Sequence, residues 1–280
     1  YADAGERRTQ LDEPDLAWMQ ELVRFLEANQ TRRGGWRYGE RDPAYARNRN
    51  PDDYDHSNSQ FALLGLKSAS RCGVDVAPST YERTLDHLIE AQEPDGPETP
   101  RVAFGKKGET TARTKDRARG WSYFTLAGTT DRVRAPGQAG GAYGSMTAGS
   151  LGALVICRSE LLDRPGYGRR KDAAAEQAIW DGIAWLGRHF SVAGNPEGTG
   201  WHYYYLYALE RAGVLAGIDW MGDHDWYGEG ADLLVAAQSD DGRWVEAGPE
   251  LVSTCFALLF LRRGTIPVSR GAVTPSGGGR

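Results

Sequence analysis

The fold is decided by residues 26–36, which read LEANQTRRGGW. The string returns near the end of the chain as LVAAQSDDGRW at 234–244, and in part as LIEAQEPDG at 88–96. In both complete copies, Gln30 to Trp36 and Gln238 to Trp244, the glutamine and the tryptophan are six residues apart. Because a recurring sequence unit predicts a recurring structural unit, we expect a repeat protein.

Two further glycine–tryptophan pairs, Gly120-Trp121 and Gly200-Trp201, extend the pattern. The indole and the glutamine amide can satisfy backbone groups that helix ends leave free, and so join one unit to the next. We therefore expect Trp36 and Trp244 to be structural. A tyrosine lies two residues after three of the tryptophans, and these tyrosines are candidates for the mouth of a central cavity: Tyr38, Tyr123 and Tyr203.

Apolar residues at helical spacing predict eight helices of two alternating types. They span 16–30, 57–72, 81–92, 147–162, 173–190, 201–212, 228–238 and 253–263. Helices ahead of the glutamine are amphipathic and should lie outside, whereas those after the tryptophan carry few charges and should be enclosed. No segment shows the alternation of a strand. The predicted fold class is all-α, an α/α toroid of helical hairpins with at least four repeats, as in an incomplete six-hairpin barrel.

The same pattern divides the chain into three parts. Residues 1–14 form an N-terminal extension, 15–265 the repeat domain with an inserted loop at about 97–143, and 266–280 a flexible tail or linker. Between Arg101 and Arg119 the loop carries seven basic and two acidic side chains. It could cover the cavity mouth, contact an anionic ligand, or be a plain excursion of the chain.

Composition excludes several classes of partner. The net charge of −5 argues against a nucleic-acid binder, which needs a basic face. No apolar stretch approaches the roughly 20 residues that span a bilayer. The three cysteines are far apart in apolar helical runs, which indicates buried free thiols rather than disulfides. The expected partner is a small-molecule ligand, and the sequence leaves the oligomeric state and the compartment open.

The pattern apolar-x-x-x-Gln-x-x-x-Gly-x-Trp resembles the glutamine–tryptophan repeat of squalene cyclases, which protein prenyltransferase β subunits share more loosely. Gln30 to Trp36 and Gln238 to Trp244 carry the resemblance, which covers about residues 15–265. It implies a fold of the terpenoid cyclase and protein prenyltransferase superfamily, with a central cavity for a hydrophobic, isoprenoid-like ligand. A fold hosts many functions, however, so chemistry must be sought in particular residues.

The segment DDYDHSN at 52–58 is the candidate for chemistry. Squalene–hopene-type cyclases carry an Asp-x-Asp-Asp motif, and the resemblance lays Asp53 and Asp55 on its first two aspartates and His56 on its last. It implies that Asp55 is a general acid beside His56, which requires a strongly acidic protonated carboxyl and aromatic faces that stabilise cations. A histidine in place of an acid departs from the motif. The alternative is that Asp55 and Ser57 cap a helix.

The resemblance supplies no metal site. Ser253 stands where prenyltransferases have a zinc-ligating histidine, and Thr199-Gly200-Trp201 stands where they have Asp-Gly-Cys. No metal or cofactor is therefore expected. Ligand contacts are expected from five residues: Tyr38, Tyr123, His202, Tyr203 and Glu246. Two alternatives stay open, a non-catalytic toroid that binds a ligand or a protein, and a carbohydrate-processing enzyme that uses Asp55, Glu246 and Glu250.

Overall fold

The structure is a computed structural model that describes residues 11–38, 54–102, 110–125, 132–135, 138–246, 250–268 and 273. Asp52, Asp53 and most of both the predicted extension and the predicted tail lie outside these ranges. Within them the chain is mostly helical. The eight predicted helices are present as α1 (Glu13–Ala28), α2 (His56–Arg71), α3 (Pro78–Ala91), α4 (Gly144–Leu161), α5 (Arg169–Arg188), α6 (His202–Ala216), α7 (Trp226–Ala237) and α8 (Glu250–Arg262).

Local sequence explains where several helices begin and end. Asp12 caps α1, because its Oδ1 accepts the Asp15 N–H at 2.9 Å. Pro78 begins α3, where its missing N–H costs nothing. Gly217 ends α6 with a φ of 71°, a left-handed conformation that glycine adopts without strain. These signals fix helix boundaries within a few residues of those predicted.

The two helix types differ in burial only in part as expected, because α2, predicted to be enclosed, buries 7 of its 16 residues, no larger a share than α3 and α5, which were predicted to lie outside. Sixteen of the eighteen residues of α4 are buried, and it packs against α2, α3, α5 and α6. In α1, by contrast, Val23 is the one residue that is buried. The prediction is wrong for α8, which was expected to be enclosed but buries Ser253, Ala257 and Phe260 alone. Its main neighbours are α6 and α7, and four of its apolar side chains are exposed: Leu251, Val252, Leu258 and Leu259.

The prediction that the chain has no strands is also wrong. Seven short strands occur in the described residues: β1 (Glu98–Val102), β2 (Thr110–Arg117), β3 (Phe124–Thr125), β4 (Arg132–Ala135), β5 (Gln138–Ala139), β6 (Trp220–Met221) and β7 (His224–Asp225). The first five lie in the predicted insertion, where β1 and β2 pair antiparallel and β3, β4 and β5 form a second sheet.

Buried charge explains why the sequence pattern does not predict the hairpin of β1 and β2. Arg101 of β1 and Asp116 of β2 are 8% and 1% exposed, and the Arg101 guanidinium bonds the Asp116 carboxylate. The guanidinium also lies 4.4 Å from the Trp180 ring of α5. The side of the hairpin that faces α5 therefore carries an ion pair. The alternation of apolar and polar residues that usually indicates a strand is therefore missing from this hairpin.

The tryptophans of the repeat make one recurring hydrogen bond. The indole N–H of Trp36 donates to the carbonyl of Leu26, that of Trp121 to Leu88 and that of Trp244 to Leu234, each at 2.8 Å. Each acceptor is the leucine that begins the repeated string. The bond ties the chain after each turn to the helix before it, so the structural role expected for Trp36 and Trp244 is confirmed.

Two of the three repeat glutamines, Gln30 and Gln92, reach further and join neighbouring hairpins, whereas Gln238 bonds the Gly242 carbonyl in its own turn. Gln30 Nε2 donates to the carbonyls of Gly34 at 3.1 Å and Thr80 at 2.9 Å, and Thr80 belongs to α3. Gln92 Nε2 donates to Arg119 at 3.0 Å and to Ala178 of α5 at 2.9 Å. The Gln30 and Gln92 amides thus each link the end of one outer helix to the next outer helix. Trp121 and Gln92 keep this arrangement although the insertion separates them.

Candidate functional site

The N-terminal ends of four helices meet around one cavity of about 530 Å³. These are the helices that follow the repeat tryptophans and were predicted to face the middle of the fold. Their contributions to the wall are Ser57, Asn58 and Phe61 from α2, Ser145 and Met146 from α4, Trp201 and Tyr204 from the start of α6, and Val252 and Phe256 from α8. The repeat therefore brings residues that are distant in sequence to one place.

Aromatic side chains make up much of the wall. Seven of them line the cavity: Tyr38, Phe61, Tyr123, Tyr143, Trp201, Tyr204 and Phe256. Tyr204 is central, because its ring centre lies 5.6 Å from that of Phe256, 6.2 Å from Phe61 and 6.4 Å from Trp201. A concave aromatic wall of this size is typical of sites for small organic ligands.

The loop before α6 supplies the polar part of the wall through Asn195, Glu197, Gly198 and Thr199. Asn195 ties this loop to α4, since its Oδ1 accepts the Ser145 N–H at 2.8 Å. Glu197 and Trp201 have left-handed backbones, with φ of 57° and 55°. Such residues cost of order 1–3 kcal/mol each and cluster at ligand sites. Trp201 is also 60% exposed, which is unusual for so large an apolar ring.

Asp55 is the N-cap of α2. It is buried, and its carboxylate accepts three hydrogen bonds: from Asn58 N–H at 2.7 Å, from Asn58 Nδ2 at 2.7 Å and from the Ser57 hydroxyl at 2.6 Å. Burial raises the pKa of Asp55, while these hydrogen bonds oppose the rise. Asp55 does not line the cavity, although Ser57 and Asn58 do. The structure thus places it in the capping role, the alternative drawn from the sequence.

His56 also lies behind the wall. Its Nδ1 is 2.7 Å from the carbonyl oxygen of Ser122, which can only accept, so Nδ1 carries the proton. Its ring centre is 5.5 Å from that of His87. Burial lowers the pKa of His56 to about 4, so the ring is neutral at neutral pH.

The remaining predicted ligand residues divide into two groups. Tyr38 and Tyr123 line the cavity as expected. Glu246 instead caps α6, because its Oε1 accepts the His202 N–H at 2.8 Å, and the His202 ring contacts the Val192 carbonyl at 2.7 Å. Tyr203 is buried beside them. Consecutive helical residues point about 100° apart, so of the aromatic run at 202–207 Tyr204 turns to the cavity.

Comparisons with family models, with curated proteins and with solved structures found no match to this chain. Across the described residues, no helix is long and apolar enough to span a bilayer. The same part of the chain holds no group of three or more histidine, cysteine, aspartate or glutamate side chains suited to a metal ion. Function is therefore inferred from the cavity itself.

The capping role of Asp55 gives a first prediction. Asp55→Ala should lower the free energy of unfolding by about 1–2 kcal/mol, because the first turn of α2 loses its acceptor. Asp55→Asn keeps one acceptor oxygen and should lose less. Urea unfolding at pH 7 measures both. A loss below about 0.5 kcal/mol for the alanine variant would speak against the cap.

Proposed function

We propose that this chain is a ligand-binding α/α toroid of helical hairpins, and that the cavity holds a small organic molecule with a flat or alicyclic apolar body. One observation carries the proposal: seven aromatic side chains and four helix ends surround a single cavity of about 530 Å³. Stacking on such walls supplies binding energy with little loss of side-chain freedom. The resemblance to the squalene cyclase repeat favours an isoprenoid-like body for the ligand.

The carboxylates favour binding over catalysis. Asp55 and Glu246 cap α2 and α6, and Glu250 bonds Arg243 near the start of α8. Among the described residues, Glu197 is the one carboxylate that lines the cavity. Glycoside hydrolysis uses a pair of carboxyl groups that flank the bond to be cleaved. Alkene protonation needs an acid that faces the substrate, and Asp55 is turned into its cap.

A fluorescent dye can test the proposal. N-phenyl-1-naphthylamine is a neutral, flat, apolar dye, and we expect saturable binding with a stoichiometry of one. Trp201→Ala should weaken the affinity by between about threefold and tenfold, since one aromatic contact of this kind is worth about 0.5–1.5 kcal/mol. Trp18→Ala is the matched control, because Trp18 of α1 is 51% exposed and does not line the cavity.

Competition then identifies the ligand class. Farnesol should displace the dye, whereas maltohexaose should not. Displacement of the dye by maltohexaose and not by farnesol would indicate that the ligand is a glycan and not an isoprenoid-like molecule. An equal loss of affinity in the Trp18 and Trp201 variants would remove the cavity as the binding site.

A further inference from the structure

Three buried polar side chains are linked by hydrogen bonds, and one of them, Tyr204, lines the cavity. Arg211 of α6 donates from Nη2 to Gln60 Oε1, and Gln60 of α2 donates from Nε2 to the hydroxyl oxygen of Tyr204. Gln60 and Arg211 are 2% and 3% exposed. Gly149 of α4 leaves room for the amide, because a Cβ there would lie 2.6 Å from Gln60 Oε1. Three helices thus fix these side chains in place.

The direction of these hydrogen bonds follows from their chemistry. A guanidinium has donors and no acceptor, so Gln60 must turn its oxygen to Arg211. Its amide nitrogen then faces Tyr204, whose hydroxyl oxygen accepts. Burial raises the pKa of Tyr204, so the phenol keeps its proton. The Tyr204 proton is left to donate elsewhere, and Tyr204 lines the cavity.

Arg211 brings a positive charge that the described residues do not neutralise by an ion pair. Its Nη1 is buried without a hydrogen-bond partner, and its guanidinium lies 3.7 Å from the centre of the Tyr207 ring. The neighbouring Glu210 is turned to Thr265, whose N–H and hydroxyl it accepts. The Glu210 carboxylate interacts with Arg211 electrostatically but forms no ion pair with it, and a buried guanidinium without an ion pair is unfavourable in a protein interior. A negatively charged group close to Arg211, Gln60 and Tyr204 is therefore favoured.

Two carboxylates near the cavity are already engaged. Asp55 accepts three hydrogen bonds in its cap. Glu197 lies 3.6 Å from Nδ1 of His189. Neither forms an ion pair with Arg211, and of the three linked side chains Tyr204 is the one that lines the cavity.

We propose that Tyr204 determines the specificity of the cavity by donating its hydroxyl proton to an oxyanion on the ligand, with Arg211 as the positioning residue that acts through Gln60. The ligand is then an apolar body that carries a carboxylate, sulfonate or phosphate group. This inference rests on the proposed function, since it assumes that the cavity is the ligand site. Beyond the proposed function, it specifies the chemical class of the polar group that the ligand carries.

Two dyes with one skeleton test the proposal. 1-Anilinonaphthalene-8-sulfonate is N-phenyl-1-naphthylamine with an added sulfonate, and both fluoresce on binding. Tyr204→Phe should weaken binding of the sulfonate dye about tenfold or more, because a hydrogen bond to a charged group is lost. Binding of the neutral dye should change less than about twofold, since the ring remains.

The Arg211 variants separate a charge effect from a structural one. Arg211→Met should lower the preference for the sulfonate dye by about tenfold, and Arg211→Lys should restore part of it, because lysine keeps the charge. Arg263→Met is the control, since Arg263 also stacks on aromatic rings, those of Trp226 and Tyr227, and does not line the cavity. Thermal unfolding by circular dichroism checks that each variant is folded.

The outcomes distinguish this inference from the proposed function. If Tyr204→Phe and Arg211→Met weaken both dyes equally, the oxyanion proposal is overturned. The cavity would still be the site if Trp201→Ala weakened both dyes as well. If neither dye binds in a saturable way, or if Trp201→Ala changes nothing, the proposed function fails first.

Discussion

Replacing Trp121 with alanine should lower the free energy of unfolding by about 4 kcal/mol, the usual cost of emptying a buried tryptophan site. Trp121 is fully buried, and its ring packs so closely on Gly182 that a Cβ there would lie 2.8 Å from it. The substitution also leaves the Leu88 carbonyl without its indole donor. Since proteins are stable by about 5–15 kcal/mol, this variant should lose between about a quarter and most of the total stability.

Two further variants show whether the loss comes from burial. Trp121→Phe keeps an aromatic ring and removes the N–H donor, so it should cost about 1–2 kcal/mol. Trp201→Ala makes the same change at an exposed tryptophan and should stay within about 0.5 kcal/mol of the parent. Urea unfolding measures all three. Equal losses at Trp121 and Trp201 would show that the buried tryptophan does not hold the hairpins together.

The sequence predicts the helices well because the repeat has a physical cause in each copy. The same indole-to-leucine bond recurs at Trp36, Trp121 and Trp244, and at Trp36 and Trp244 the sequence shows the ten-residue spacing that permits it. The strands of the insertion could not be predicted in this way. Of these strands, β1 and β2 pack against α5 and carry the buried Arg101–Asp116 pair, and charged residues give no signal of apolar alternation.

The site was only partly predictable, and the reason lies in helix geometry. The sequence indicated which helix ends would meet, and Tyr38 and Tyr123 were placed correctly at the cavity. It could not decide which aromatic residue of 202–207 turns inward, because each neighbour differs by about 100° in direction. Gln60 and Arg211 carried no signal at all. Their importance depends on their contact across two helices.

Acidification should destabilise the protein through its two buried histidines. Burial lowers the pKa of His56 from its ordinary value of 6.5 to about 4, and lowers that of His87 in the same direction. The unfolded chain therefore binds more protons than the folded one as the pH falls through this window. The contribution of the neutral histidines to the free energy of unfolding is fully present above pH 6.5 and is lost as the pH falls toward 4. For His56 alone the loss is about 3 kcal/mol.

Asp55 and Glu210 act in the opposite direction, because burial raises their pKa values and acid relieves the cost of burying their charge.

A comparison of variants separates these contributions. The difference in unfolding free energy between the parent and His56→Asn, measured in urea, should shrink by about 3 kcal/mol from pH 7 to pH 4. Ser59→Ala is the matched control in the same turn of α2, since Ser59 is buried, bonds the Trp36 N–H and the Asp55 carbonyl, and does not titrate. Its effect should be the same at both pH values. A histidine variant that behaved like this control would mean that folding does not lower the pKa of His56, which would contradict the burial of a neutral ring at this position.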